Sequence, residues 1–261
     1  LYPKVDTAKC IDCGLCEKVC PVLNVADDRL PQKVLAAKNK NEQIRNTSSS
    51  GGVFTILAEQ VINDGGVVFG VKFNDKWEVV HSYTETIDGL AAFRGSKYVQ
   101  SFIGDSYKKA EIFLKNGRKV LFSGTPCQIS GLKHYLRKEY ENLLTVECVC
   151  HGVPSPKVWR EYLNEVSRPK GVFGKNTVSS VSKDLPVITG INFRDKSNGW
   201  KKYGFVLGLK SAFKADKNSV LPSDTQRVLQ PFYENPFMQA FLADFILSPS
   251  CYSCVAKAGS R

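Results

Sequence analysis

The run Cys10-Ile11-Asp12-Cys13-Gly14-Leu15-Cys16-Glu17-Lys18-Val19-Cys20-Pro21 constrains this chain more than any other stretch. Its thiols are spaced two, two and three residues apart and closed by a proline, so tight turns can aim successive sulfurs inward around a cubane iron-sulfur cluster. Gly14 supplies backbone freedom to the loop, and Pro21 steers the chain away. The spacing is that of bacterial ferredoxins, in which the fourth cysteine serves the other cluster of a pair. A second run is therefore expected, and the sequence has none. The competing readings are a zinc knuckle, which usually takes two separated CxxC pairs or mixed Cys and His ligands, and a disulfide framework, which belongs to short secreted chains.

The chain is long enough, at 261 residues with 43% hydrophobic content, to bury a real core. Nine cysteines, with four of them packed into eleven positions, argue for metal ligation in a reducing compartment, and the expected location is cytoplasmic. The first residues, Leu1-Tyr2-Pro3-Lys4, show neither a charged n-region nor an apolar h-region, so no secretory signal is read there. They also lack a starting Met, and an upstream piece carrying the absent cysteine run is expected. The least polar stretch, Pro236 to Leu247, includes Asp244 and falls short of the roughly 20 apolar residues that span a bilayer, so no membrane span is expected. The formal charge of +11 comes from scattered lysines and arginines with no nucleic-acid-binding motif. No nucleic-acid partner is expected, and the charge suits anionic cofactors or acidic partner proteins.

Two units are read along the chain: a partial ferredoxin-like module over residues 1–30 and a main domain over 31–261. The alternation of strands and helices after Leu30 implies an α/β fold, a mixed or mostly parallel sheet flanked by helices. The segment Ile44 to Gly52 leads into a helix whose Phe54, Leu57, Ala58, Val61 and Ile62 share one face, with Ser50 as N-cap. Open backbone N–H groups at such a start, with the helix dipole, suit a cofactor phosphate or are simply a capped helix. Gly65-Gly66 closes that helix, and Val67 to Phe73 and Trp77 to Tyr83 form a hairpin. Lys97 and Tyr98, in the following loop, contact a planar cofactor or its phosphates, unless they merely build a surface turn.

A helix over Tyr107 to Lys115 precedes the strand Lys119 to Phe122, which runs into Ser123-Gly124-Thr125-Pro126-Cys127-Gln128. Thr125 as N-cap and Pro126 at N1 place Cys127 in the first turn of a helix, a position that favours a thiolate. The strand Leu143 to Cys150 puts Cys148 and Cys150 on one side if it holds to its end, and Ser155-Pro156 begins a helix with Trp159, Tyr162, Leu163 and Val166 on one face. Residues Gly171 to Pro186 read as a mobile loop. Ile188 to Phe193 and Gly204 to Leu209 read as strands around a charged tip with Trp200. A last helix, capped by Asn235, runs through Phe237, Phe241 and Phe245 to a stop at Pro249. Beyond it lies the pair Cys251 and Cys254. Cys127, Cys150, Cys251 and Cys254 are four thiols in separate loops, and they are expected to hold a second cluster, a zinc ion or buried unligated thiols being the alternatives. A cysteine peptidase pairing Cys127 with His151 or His134 leaves the ferredoxin run unexplained.

Neither a G-x-G-x-x-G nor a G-x-x-x-x-G-K-[ST] motif is present, so any dinucleotide is held by a non-Rossmann arrangement. Taken together, the cysteine run, Ser48 to Phe54, Gly95 to Gln100, Ser123 to Gln128, Cys150 to Ser155, Phe193 to Lys196 and Cys251 to Cys254 resemble the coenzyme F420 hydrogenase/dehydrogenase beta-subunit family. The likeness is to bacterial members with a fused ferredoxin module that often accompany polysaccharide biosynthesis genes. It implies a flavoprotein carrying FAD and 4Fe-4S clusters. On the matching positions Cys10, Cys13 and Cys16 would hold the ferredoxin-type cluster, Cys20 its partner cluster, and Cys127, Cys150, Cys251 and Cys254 the cluster of the main domain. The flavin would lie among Ser48, Ser49, Ser50, Gly51 and Gly52, the loop of Gly95, Ser96, Lys97 and Tyr98, and Gly124 and Thr125 at the start of the Cys127 helix. Members with the fused module normally have two ferredoxin runs and continue past the CxxC pair, so truncation at the C-terminus is expected.

The function expected from this is an oxidoreductase that passes electrons between 4Fe-4S clusters and an FAD exchanging hydride with a small-molecule donor or acceptor. The rival is a non-catalytic iron-sulfur adaptor that docks a partner redox protein. Self-association into a homo-oligomer is compatible with either.

Overall fold

A computed structural model describes residues 4–24, 31–167, 187–210 and 225–254. The expected loop Gly171 to Pro186 lies outside the described residues.

After a short helix α1 (Leu15–Lys18) in the cysteine module, the chain forms α2 (Glu42–Thr47), α3 (Val53–Asn63), β1 (Val67–Phe73), β2 (Val79–Thr84), a 3₁₀ turn (Asp88–Phe93), α4 (Ser106–Lys115), β3 (Val120–Gly124), α5 (Pro126–Leu136) and β4 (Leu143–Glu147). These strands make one mixed sheet in the order β2-β1-β3-β4, with β1, β3 and β4 parallel and β2 antiparallel at the edge. Alternation along the strands divides the sheet's two faces. Val67, Phe69, Val120 and Phe122 pack on α4 and α5, through Ala110, Leu114, Ile129, Leu132 and Leu136. Val68 and Leu121 face the other way, onto Ala58 and Val61 of α3 and onto Leu90 and Phe93. Burial of both faces is what parallel strands require, and each fully buried side chain contributes about 1.5–3 kcal/mol.

Helix α6 (Pro156–Val166) then leads to an antiparallel sheet of β5 (Val187–Asp195), β6 (Gly204–Lys210) and β7 (Thr225–Pro231), followed by α7 (Pro236–Leu242) and a 3₁₀ turn (Pro249–Cys251). Its core centres on Trp159, with Phe193, Phe205, Phe237, Met238 and Phe241 around it. Val71, Phe73, Trp77 and Val79 from the first sheet's hairpin join the same cluster, and the Trp159 indole donates to the Trp77 carbonyl at 2.7 Å. The aromatic cluster therefore ties the antiparallel sheet to the carboxyl end of β1.

The expected fold class is the observed one, and several local expectations change. The N-cap of α3 is Gly52, at φ 74°, and not Ser50; the chain before it is already helical in α2, whose C-cap is Ser48. Asn41 caps α2 by accepting from the Ile44 N–H at 3.2 Å, a short-range signal hidden by the serine-rich stretch that follows. The Trp77 start expected for β2 falls instead in the turn, where Asn74 Oδ1 accepts from the N–H groups of Lys76 and Glu78. Strand β4 ends at Glu147, so Cys148 and Cys150 are not consecutive same-side residues of a strand. Helix α7 stops at Leu242, and Phe245 lies beyond it, 83% exposed, because Asp244 takes φ 65° and breaks the helix before Pro249. Strand β7 has no counterpart in the sequence reading.

Candidate functional site

In the cysteine module the chain turns twice through left-handed backbone, at Asp12 (φ 52°) and Gly14 (φ 65°), before the single turn of α1. That path leaves Cys10, Cys13 and Cys16 exposed and Cys20 half-buried. Asn24 fastens the far side, its side-chain amide donating to the carbonyls of Glu17 at 2.7 Å and Cys20 at 3.1 Å. Thiols at this spacing are the donor type a cubane cluster takes, although among the described residues no three of them converge closely enough to hold one metal ion.

The described cavity, about 350 Å3, opens beside the carboxyl end of β1. One wall is apolar, from Phe73, Ala91, Ala92 and Ile191, and the rest is polar, from Thr47, Arg94, Ser96, Lys97 and Asn192. Open α/β sheets keep their ligand sites at this edge. Of the expected cofactor segments, two meet here: Ser49 Oγ and Ser96 Oγ lie 2.6 Å apart, joining the serine loop to the Gly95–Tyr98 loop. Gly95 and Lys97 line the cavity; the Lys97 ammonium donates to the carbonyls of Arg94 at 3.1 Å and Gly95 at 3.4 Å and sits 5.9 Å from the Phe73 ring centre. Burial lowers the Lys97 pKa from its usual 10.5 to about 8. Gly51 and Gly52 lie behind this loop: the Asn39 N–H donates to the Gly51 carbonyl at 2.7 Å, and the Asn39 amide donates to the Gly52 carbonyl at 3.4 Å. Ser50 is exposed.

The stretch from Arg94 to Phe102 bonds to α3, β5, α5 and the loops at Pro154 and Ser248. Arg94 Nε donates to the buried Thr55 hydroxyl at 3.3 Å. The Tyr98 ring stacks on Phe241 at 4.7 Å, and its hydroxyl accepts from Arg194 at 3.4 Å. The Gln100 N–H donates to the Pro154 carbonyl at 3.0 Å, and its side chain accepts from Ser248 Oγ at 3.4 Å. Ser101 accepts from Gln128 Nε2 at 2.8 Å and faces His81 Nδ1 at 3.0 Å.

Gly124 and Thr125 are not among the cavity's lining residues; Gln128, whose Oε1 accepts from the Thr125 N–H at 3.0 Å, links them to Ser101. His81 closes this network, Nε2 meeting the Ser123 carbonyl at 3.2 Å over a Phe122 ring stacked at 5.4 Å. Desolvation lowers the His81 pKa to about 4, so its imidazole is neutral at physiological pH, donating to Ser123 and accepting from Ser101. The sequence reading did not single out His81, although its inward position two residues after Val79 marked it as a buried polar group. Asn192 was also missed, and nothing in its local sequence separates it from an ordinary strand residue.

The main domain has five cysteines, the four expected ligands and Cys148, carried on three separate segments. Cys127 is exposed in the first turn of α5, with Thr125 Oγ1 3.1 Å from its sulfur. The Cys148 N–H donates to the Gly124 carbonyl at 2.9 Å, after which the chain leaves the sheet toward the half-buried Cys150. Cys251 is brought to that same loop, because Leu247 bridges to Pro154 and the Ser248 N–H donates to the Val153 carbonyl at 2.9 Å. Gly152 permits this approach; a Cβ there would lie 2.6 Å from Leu247 Cδ1. Cys254 follows at the end of the described chain, half-buried. Four thiols are a fitting donor set for a cluster, although among the described residues no three Cys, His, Asp or Glu side chains converge closely enough to hold one metal ion. Of the histidines weighed as a base for Cys127, His134 Nδ1 meets the Ser130 carbonyl on its own helix and His151 Nε2 pairs with Asp244 at 2.7 Å.

These features define a class: an α/β domain with cysteines at its carboxyl edge, preceded by a ferredoxin-type cysteine loop. Residues 117–259 match the carboxyl-terminal region of the coenzyme F420 hydrogenase/dehydrogenase beta subunit, residues 34–104 match its amino-terminal region, and residues 2–25 match a 4Fe-4S binding domain. The chain belongs to the coenzyme F420 hydrogenase/dehydrogenase beta-subunit family. It is 28% identical over 159 residues to the coenzyme F420-dependent sulfite reductase of Methanocaldococcus jannaschii, an alignment covering 58% of this chain and 24% of that protein. A chain from the F420-reducing [NiFe] hydrogenase complex of Methanosarcina barkeri aligns with 14% identity and a TM-score of 0.49, over 83% of this chain and 63% of the other. This chain thus spans about a quarter of its curated relative and under two thirds of that solved chain. Among the described residues no helix is long and apolar enough to cross a membrane.

Proposed function

We propose that this protein is an iron-sulfur flavoprotein that carries electrons between 4Fe-4S clusters and an FAD, and through the flavin to a small-molecule donor or acceptor. The observation that carries this reading is the meeting of two segments far apart in sequence, Ser49 and Ser96, at the rim of one cavity. The residues fit a flavin dinucleotide chemically, with an apolar wall from Phe73 and Ile191 and cations from Arg94 and Lys97. When bound, the flavin supplies the exchange between two-electron and one-electron steps. The chain's own part is to hold and orient: Lys97 keeps a positive charge beside the cavity at neutral pH, and Ser96 and Thr47 offer hydroxyls. Cys10, Cys13, Cys16 and Cys20 would hold iron at the amino-terminal end, and Cys127, Cys150, Cys251 and Cys254 in the main domain. The Ile11 side chain, 84% exposed, and Val22 and Leu23, each 67% exposed, give the cysteine module an apolar surface suited to a partner redox protein.

The test is anaerobic reconstitution with iron, sulfide and FAD, followed by quantification of all three on one sample. Retained iron and sulfide with bound flavin is the expected result, and Cys13→Ser should lower the iron content without lowering the flavin. A protein that takes up iron and sulfide but no flavin would refute the flavoenzyme reading and leave the adaptor.

A further inference from the structure

His81 lies in strand β2, yet it is only 7% exposed, with its ring stacked over Phe122. A polar group so withdrawn from water is costly unless each of its nitrogens is satisfied. Here the partners also settle which nitrogen carries the hydrogen. The Ser123 main-chain oxygen only accepts, so Nε2 donates to it at 3.2 Å and Nδ1 accepts from the Ser101 hydroxyl at 3.0 Å. The Ser101 oxygen then accepts from Gln128 Nε2 at 2.8 Å, which turns Gln128 Oε1 toward the Thr125 N–H at 3.0 Å. The circuit returns to the loop it started from, gripping the carbonyl of Ser123 and the N–H of Thr125.

The rest of that loop is held as firmly. Ser123 Oγ donates to the Phe69 carbonyl at 2.9 Å, the Gly124 carbonyl accepts from the Cys148 N–H at 2.9 Å, and the Gln128 carbonyl accepts from the Tyr107 hydroxyl at 2.7 Å. A Cβ at Gly124 would lie 3.1 Å from Gln128 Oε1, closer than ordinary contact, so the glycine keeps the amide's place open. Cys127 stands exposed between these fixed points. An apolar side chain over Phe122 would avoid the desolvation that lowers the imidazole's pKa to about 4. What the imidazole adds is direction, because a fully satisfied buried network specifies one arrangement of the groups it joins.

We infer that His81 is a positioning residue for Cys127: through Ser101 and Gln128 it fixes the Ser123–Gln128 loop in advance and makes Cys127 the stationary thiol of the main domain. This rests on the reading of Cys127 as an iron ligand. Since among the described residues no three thiols converge on one metal position, some of them must move when iron binds, and the pinned loop is not the part that moves. The segments of Cys150 and Cys251, tied to each other where the Ser248 N–H donates to the Val153 carbonyl, close on it instead. A ligand held in place beforehand loses less freedom on binding, which favours the bound state.

The experiment is amide hydrogen exchange on the full, cofactor-free chain, comparing wild type with His81→Phe, Ser101→Ala and His81→Gln. His81→Phe keeps a ring over Phe122 and removes both bonds, Ser101→Ala breaks the circuit one step further on, and His81→Gln puts back a donor and an acceptor. Exchange at the Thr125 amide should rise about tenfold in the first two variants, the loss of roughly one hydrogen bond, and fall back toward wild type in His81→Gln, with Ala110 to Leu114 of α4 unchanged. Iron retained after anaerobic reconstitution in a Cys13→Ser background, where the amino-terminal site is weakened, should drop several-fold in the same two variants and recover in His81→Gln. A Thr125 amide that keeps its wild-type rate in both, or α4 amides that rise equally, overturns the positioning role. So does a local rise with no loss of iron, since the loop would then be fixed for something other than metal. Should the Cys13→Ser chain take up no iron at all, the ligand reading of Cys127 fails, and the exchange rates still decide whether His81 fixes the loop.

Discussion

Replacing Lys97 with Met keeps the aliphatic stem against Phe73 and removes the charge, so it isolates the cost of holding that ammonium in the fold. In the native state its pKa falls from 10.5 to about 8 through desolvation. At about 1.4 kcal/mol for each pH unit, that difference amounts to about 3 kcal/mol. The sign follows from which state binds the proton. Below pH 8 Lys97 is charged in both states and the full cost weighs on the native one. Between pH 8 and 10.5 the native state releases the proton while the unfolded chain keeps it, so this group's contribution to stability rises with pH. Loss of the bonds to the Arg94 and Gly95 carbonyls offsets part of the gain in the variant, by about 1 kcal/mol, at every pH below 8. Urea unfolding of the cofactor-free wild type and Lys97→Met across pH 7 to 10.5 is the assay. The variant should lead by about 2 kcal/mol at pH 7, and the wild type should recover about 3 kcal/mol relative to it by pH 10.5. A gap between the two that stays constant over this range would refute the burial of a charged Lys97.

The remaining predictions concern the groups that hold the site in place. His81, neutral in the fold with a pKa near 4 against 6.5 unfolded, should cost the protein up to about 3 kcal/mol as pH falls from 6.5 to 4, because the unfolded chain takes up the proton first; His81→Phe should flatten that part of the pH–stability curve measured by chemical denaturation. Asn235 is fully buried, caps α7 by accepting from the Met238 N–H at 3.0 Å and donates to Tyr162 at 2.7 Å and Gln230 at 2.8 Å. Asn235→Ala should therefore destabilise by about 2–3 kcal/mol, more than an exposed cap, as read from the urea midpoint. Gly152→Ala would press a methyl group into Leu247, itself held in the aromatic core, and should cost about 1–3 kcal/mol in the same assay and raise the alkylation rate of Cys150 and Cys251 as their loops separate.

Elements with strong local grammar were legible in the sequence. Helix α5 announces itself with Thr125, Pro126 and the buried Ile129, Leu132 and Leu136, and the Gly65-Gly66 stop closes α3 with N–H bonds back to Ile62 and Val61. The apolar runs of β1 and β3, bounded by glycine, marked buried strands in the same way. What failed depended on distant contacts or on backbone at the edge of helical space. Helix α2 has no buried residue and is held by Asn39, Arg45 and Lys196 through bonds that no six-residue window contains. The end of α7 turns on Asp244 adopting a left-handed conformation that the aromatic run Phe237, Phe241, Phe245 gives no hint of. Of the site, the residue types were readable and the company they keep was not: Ser49 and Ser96 lie 47 positions apart, and Ile191 and Asn192 of β5 line the cavity because Trp159 and its aromatic neighbours fold the second sheet against the first.

The stretch from Arg94 to Phe102 is short, has no helix or long strand of its own, and yet is bonded to the serine loop, to α5, to the Cys150 loop and to the segment leading to Cys251. Anchored at so many points, it cannot shift at one end and stay still at the other. Occupation of the cavity would therefore stiffen the backbone beneath distant thiols, and slowed amide hydrogen exchange at Ser248 would register a ligand seated beside Lys97.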